Sequence, residues 1–313
     1  MTLKDFPFES RWQMLSTGHK LHYVDEGSGV PAVMLHGNPT WCYMYRKLIK
    51  SLADKGRRAI AFDHLGCGFS DKPKDEPFSM AQVHLDFDFG IDNNNRPKCL
   101  TYCLQSHLDN MTEFIDAVLP SGDPFDLIVH DWGGPIGFAY AERHPERIRH
   151  IVLMNTVAWM SRTFPKSIYL TKCPLLGALL VRHLNVLIHV ALKKMPIRPL
   201  PSEVLAAYRL PYRNYHDRIA IQRFPQDIPL GPNHPSYRLF QKLEENLHIL
   251  SDHPMLALWG MHDFCFPPAF LRQWQERFPN LKTQTFPDAS HFLLEDLPQE
   301  VITTIMDFLK TNK

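Results

Sequence analysis

The run Leu127-Ile128-Val129-His130-Asp131-Trp132-Gly133-Gly134 constrains this chain more than any other stretch. Three consecutive apolar residues read as a buried strand, and the paired glycines leading into residues 135–143 read as the opening of a helix. A strand that turns directly into a helix exposes one side chain above the sheet, beside the helix N-terminus. Here that side chain is the carboxylate of Asp131. The usual pattern for such a turn is Gly-x-Ser-x-Gly, and this chain departs from it twice, with Asp131 at the exposed position and Val129 in place of the first glycine. Alone, an acid between strand and helix also fits a helix cap, so the rest of the chain has to decide.

Residues 12–16 and 20–25 read as a hairpin across Thr17-Gly18-His19. Residues 32–35, 58–63, 125–129, 148–154 and 255–259 read as apolar strands, and 41–55, 104–119, 135–143 and 298–309 as helices between and after them. This alternation predicts an α/β fold with a mostly parallel central sheet and helices on both faces. It stops between Met154 and Met255. Most of that interval, residues 157–226, reads as an inserted helical cap, leaving 1–156 and 227–313 as the core domain. Residues 75–101 are polar and turn-prone, with Asp86, Asp88, Asp92 and Asn93-Asn94-Asn95, and read as an extended surface loop.

Charge and cysteine usage exclude several classes. With 34 basic and 33 acidic residues the chain offers no broad field for nucleic acid. Cys42, Cys67, Cys99, Cys103, Cys173 and Cys265 lack the density of a disulfide scaffold and contain no Cys-x-x-Cys pair, so they read as reduced thiols of a cytoplasmic enzyme. Residues 1–12 have no secretory pattern. Residues 174–195 are apolar but interrupted by Arg182, His183, Asn185 and His189, which predicts an amphipathic helix rather than a transmembrane segment; Lys193 and Lys194 leave contact with a lipid surface open.

The chain order completes the case for Asp131. Asp263 follows the strand at 255–259, and His291 follows in Ala289-Ser290-His291-Phe292. Nucleophile, acid and histidine in that order, all on strand-end loops, arrive at one rim of a parallel sheet. Asn155 ends an earlier strand but cannot ionise, so the acid role falls to Asp263. An aspartate with an ordinary pKa near 4 is ionised at neutral pH without a base. It can attack carbon to form an alkyl ester, after which His291, oriented by Asp263, activates water for ester hydrolysis. The backbone N–H groups of Asn38 and Trp132 are the expected oxyanion donors. His36, His64, His130 and His262 lie near strand ends without metal-ligand spacing and read as structural, so neither a metal nor a cofactor is expected.

His36-Gly37-Asn38-Pro39-Thr40 together with His130-Asp131-Trp132-Gly133-Gly134 resembles the haloalkane dehalogenase family across the whole catalytic core. The resemblance implies the α/β-hydrolase fold and cleavage of carbon–halogen bonds to alcohol, halide and a proton. The Asn38 amide and the Trp132 indole would hold the halide. It also leaves a homo-oligomer open. Residues 174–185 and 218–230 look similar to β-lactone decarboxylases that form olefins, in which the same aspartate opens a strained lactone and Asn38 with Trp132 holds a carboxylate. Dehalogenation is the leading expectation and lactone decarboxylation the alternative. Epoxide hydrolases share the aspartate turn and use cap tyrosines, for which Tyr169, Tyr208, Tyr212 and Tyr215 are available, but they carry phenylalanine where this chain has Asn38. A non-catalytic binding protein would have lost a triad member.

Overall fold

The apolar runs lie side by side as strands. In the computed structural model, which describes residues 3–74, 101–161 and 165–310, these are β1 (Arg11–Met14), β2 (Lys20–Glu26), β3 (Pro31–Leu35), β4 (Arg58–Phe62), β5 (Phe125–Asp131), β6 (Ile148–Thr156), β7 (Met255–Gly260) and β8 (Lys282–Phe286). They form one sheet in the order β1-β2-β4-β3-β5-β6-β7-β8. The β1/β2 and β2/β4 pairs are antiparallel and the others parallel. The sequence gives no sign of β8: four of its five residues are exposed, so no apolar run marks it, and pairing with β7 is what makes it a strand.

Period-two alternation explains why the central strands read as unbroken apolar runs. Val33, Leu35, Leu127 and Val129 point into one core, and Ala32, Met34 and Ile128 into the other. Helices α1 (Arg46–Asp54), α2 (Leu104–Val118) and α3 (Gly133–Ala141) follow their strands, and the apolar stripe of α2, Leu108, Met111 and Ile115, fills the first core. Among the described residues, the elements after β6 as far as Asp227 are helical: α4 (Lys166–Lys172), α5 (Pro174–Gly177), α6 (Val186–Lys194), α7 (Ser202–Arg209) and α8 (Ile219–Gln226). The chain closes with α9 (Tyr237–Asn246), α10 (Pro268–Arg277), α11 (Leu293–Asp296) and α12 (Pro298–Lys310).

Two expectations need correction. Residues 174–195 are not one amphipathic helix: segments Leu175–His183 and Val186–Lys194 meet at 63°. Asn185 at the break has φ 54°, a left-handed conformation that interrupts the hydrogen-bond ladder. No single helix among the described residues is long and apolar enough to cross a membrane. Cys42, Cys67, Cys173 and Cys265 are free thiols, but Cys103 is disulfide-bonded, because the approach of two sulfurs is decided by packing and not by composition. The loop expected at 75–101 falls, apart from Thr101, outside the described residues.

The topology also locates the site. β4 lies on one side of β3 and β5 on the other, so chain order reverses between β3 and β5. Loops leaving the C-terminal ends of these neighbours diverge, and the crevice between them is where ligands bind in open parallel sheets. Asn38 follows β3 and Asp131 ends β5.

Candidate active site

Asp131 has φ 51°, a conformation that costs a non-glycine residue about 1–3 kcal/mol and persists only where neighbours impose it. The Thr156 hydroxyl donates to the Asp131 carbonyl at 2.5 Å, and the β5/β6 register shifts between His130 and Asp131 to admit the turn. Gly37 passes so close that a Cβ there would overlap the Asp131 carboxylate. The absent first glycine of the turn is compensated elsewhere. A Cβ on Gly137 in α3 would lie 2.7 Å from Val129 Cγ1, so the small residue that lets strand and helix approach sits on the helix instead of the strand.

Asp131 as a residue is 8% exposed. Oδ1 accepts the Asn38 backbone N–H at 2.7 Å, and the Trp132 backbone N–H also stabilises the ionised form. Burial outweighs these donors and raises the Asp131 pKa from 3.8 to about 6, higher than an ordinary aspartate but still ionised at neutral pH. Oδ2 faces His291 Nε2 at 3.8 Å.

His291 arrives from the loop after β8, where Phe266 stacks on its ring at 5.8 Å between centroids. Its Nδ1–H donates to Asp263 Oδ2 at 2.7 Å, and its buried Nε2 has no hydrogen-bond partner. Burial disfavours the imidazolium, but the charge and hydrogen bond of Asp263 and the charge of Asp131 together hold the His291 pKa above its usual 6.5. Asp263 Oδ1 accepts the Cys265 N–H at 2.7 Å, fixing the acid's orientation. Asn155, by contrast, is spent on the backbone: its amide exchanges two hydrogen bonds with Gly260, at 2.8 and 3.2 Å, lacing β6 to β7. The structure thus brings Asp131, His291 and Asp263 together and gives Asn155 a supporting place.

Asn38 and Trp132 flank the carboxylate. The Asn38 amide donates to Ile221 O at 3.2 Å, which ties it to α8, and its Oδ1 is buried without a partner. The Trp132 indole N–H makes no hydrogen bond among the described residues, and its ring packs against Phe224 of α8 at 5.1 Å. Two apolar cavities, of about 110 and 200 Å³, share Asp131, Trp132, Ile168, Ile228 and Cys265, so they fork from the carboxylate. None of the four cap tyrosines lines either arm: Tyr208 bonds Glu295 at 2.6 Å and Tyr212 bonds Thr40 O at 3.0 Å. Sequence reasoning missed the lining residues Ile168, Ile228 and Cys265 and the stacking Phe266: Ile168 sits on the short helix α4 and the other three on loops, where no apolar period marks them.

Of the other strand-end histidines, His36, His64 and His130 pack inside, whereas His262 is exposed. His36 Nδ1–H donates to Gly37 O at 2.9 Å and its Nε2 accepts the His64 N–H at 3.1 Å, while His130 Nε2–H donates to His291 O at 2.9 Å. Burial pushes all three below the usual histidine range. His22, Cys42 and Asp63 bring metal-type donor atoms together, and there Asp63 accepts from His22 at 2.8 Å, Cys42 N at 2.7 Å and Phe69 N at 2.9 Å.

A profile of the α/β-hydrolase fold matches residues 31–298. The chain is 36% identical over 310 residues to a cis-3-alkyl-4-alkyloxetan-2-one decarboxylase of Shewanella oneidensis, covering 97% of this chain and 89% of the relative. It is 32% identical to haloalkane dehalogenase 2 of Mycobacterium tuberculosis, covering 96% of this chain and 95% of the relative. The crystal structure of the haloalkane dehalogenase DatA of Agrobacterium tumefaciens superposes with a TM-score of 0.78 at 25% identity, covering 97% of each chain.

Proposed function

Since this chain belongs to the α/β-hydrolase fold family, as an enzyme of the haloalkane dehalogenase type, we propose that Asp131 attacks a saturated carbon carrying an anionic leaving group, and that its substrate is a cis-3,4-dialkyl β-lactone. The observation that carries the substrate is the fork. A β-lactone bearing alkyl chains on adjacent ring carbons presents one electrophilic centre and two diverging apolar arms, and two apolar cavities diverge from Asp131. A primary haloalkane fills one. Relatedness to the oxetanone decarboxylase supports the same choice and puts the lactone ahead of the haloalkane.

The electron balance is simple. Oδ2 bonds to the ring carbon that carries the ring oxygen, that C–O bond breaks with inversion, and its electron pair stays on the released carboxylate. The Asn38 amide and the Trp132 indole N–H hold this anion. The bond from carbon to carboxylate then breaks to release CO2, its pair becomes the olefin π bond, and the ester C–O pair returns to Asp131. Attack leaves the Asp131 oxygen anti to the carboxylate, so elimination from that arrangement keeps cis substituents cis. The imidazolium of His291, 3.8 Å from Oδ2, stabilises the charge that comes back. Residues 157–226 act as the cap over the site and the rest as the core.

Haloalkane hydrolysis is the second reading, favoured by the unpartnered Nε2 of His291. A water bound there reaches the ester carbonyl, and Oδ1, already accepting the Asn38 N–H, is the oxygen that becomes the oxyanion, with the Trp132 backbone N–H as the second donor to the group. The test gives the enzyme a cis-dialkyl β-lactone and a bromoalkane separately. The expected result is cis-olefin and CO2 from the first at a higher kcat/KM than bromide release from the second. Conversion of the lactone to a β-hydroxy acid alone would overturn the proposal.

A further inference from the structure

The cap face around the cavity mouth is both greasy and cationic. Leu175 and Leu184 are 71% and 58% exposed, and Leu170, Leu179, Val186 and Val190 are exposed with them. A patch of this kind on a helical surface marks a contact. Leu170, Val186 and Val190 also line the larger arm of the cavity, so the substrate space opens through this patch.

Charge says what covers it. Residues 161–202 hold Arg162, Lys166, Lys172, Arg182, Lys193, Lys194 and Arg198 and no acidic residue. With 34 basic and 33 acidic residues overall, the rest of the chain has 27 basic against 33 acidic, so a nearly neutral sequence concentrates its positive charge in this segment, where Lys193, Lys194 and Arg198 are exposed. On α6 the two features share one stripe. Val186, His189, Val190, Lys193 and Lys194 are exposed at helical spacing, while Ile188, Ala191 and Leu192 are buried against the protein. No carboxylate among the described residues pairs with Lys193 or Lys194. An apolar stripe with lysines at its end, on a helix whose opposite face is packed, lies on a bilayer rather than through it.

We propose that the α4–α6 face seats on an anionic phospholipid bilayer, so that the cavity mouth opens into the acyl region and alkyl substrates enter from the lipid without crossing water. This inference stands whichever electrophile Asp131 takes. Leucine and valine side chains immerse at the boundary while Lys193 and Lys194 meet headgroup phosphates, an attraction that salt weakens.

Flotation of the full chain with vesicles tests it. The protein should float with phosphatidylcholine vesicles containing phosphatidylglycerol, much less with phosphatidylcholine alone, and less as salt rises. K193Q/K194Q should lower partition about thirtyfold, since each cation near an anionic surface contributes about a factor of five. L175S/L184S should lower it as well. Neither pair touches the cavity, so both variants should keep the parent's circular dichroism and its turnover of a short, water-soluble bromoalkane. A parent that stays in solution with anionic vesicles, or variants that float as it does, overturns the proposal. Light scattering that finds a dimer dissolved by L175S/L184S, with no vesicle capture, assigns the face to a second copy and overturns it too.

Discussion

His291 Nε2 lies 3.8 Å from Asp131 Oδ2, buried and without a hydrogen-bond partner, while its Nδ1 is held by Asp263 at 2.7 Å. One ring nitrogen is fixed so that the other is free to act on whatever Asp131 becomes. The two readings of the site ask different things of that free nitrogen, and this separates them experimentally.

Replacing His291 by alanine removes the group that activates water but not the nucleophile. With a bromoalkane we expect one burst of bromide, loss of at least about a thousandfold in steady-state turnover, and an alkyl adduct on Asp131 by mass spectrometry. With the β-lactone, elimination regenerates Asp131 without water, so no adduct should accumulate and the loss should be smaller. An adduct on another residue would sink the assignment of Asp131.

The pH profiles should diverge on the alkaline side. Both reactions need ionised Asp131 and should fall as pH drops through about 6. Hydrolysis also needs neutral His291, so bromide release should keep rising until pH passes the imidazole's pKa, which is held above 6.5. Olefin formation uses the imidazolium and should decline over that same range. Superimposable profiles of steady-state kcat for the two substrates would contradict the division of roles.

Asp131→Asn should abolish turnover and stabilise the fold. Burial raises the native pKa from 3.8 to about 6, so between those values the native state binds more protons than the unfolded chain, and stability falls as pH rises. The charged form is therefore a liability at pH 7, roughly 1–3 kcal/mol. Thermal melts should give the asparagine variant a higher Tm at neutral pH, with the advantage shrinking as pH falls through about 6 towards 3.8.

Trp132→Phe keeps an aromatic ring against Phe224 and removes only the indole N–H. Loss of one fixed donor to a developing anion should lower kcat/KM for the bromoalkane by about a hundredfold with stability little changed. Asn38→Ala should act in the same direction but also cost stability, because the amide donates to Ile221 O at 3.2 Å. Full activity in both variants would mean that the leaving anion is held elsewhere.

Gly137→Ala should destabilise by about 1–3 kcal/mol through overlap with Val129. Val129→Ala in the same chain should recover most of the loss, a coupling that denaturant titration of both single variants and the pair would measure. Strictly additive costs would show that the two residues do not share the space.

Sequence by itself determined the sheet's central strands, because Val33, Leu127, Ile151 and their neighbours form runs apolar on both faces, and it determined which three residues could act together, because acid and histidine follow strand ends in a fixed order. It left β8 unmarked, because an exposed edge strand needs no apolar run to pair with β7. The tertiary structure alone decided the left-handed break at Asn185, the bond at Cys103, and the coupling of Gly137 to Val129. It also decided the shape and charge of the site, since the two cavities and a carboxylate shifted to about 6 arise where helices α4, α6 and α8 pack over the strand-end loops. Burial and distance are properties of the packed chain, and residues far apart in sequence acquire them only when they meet.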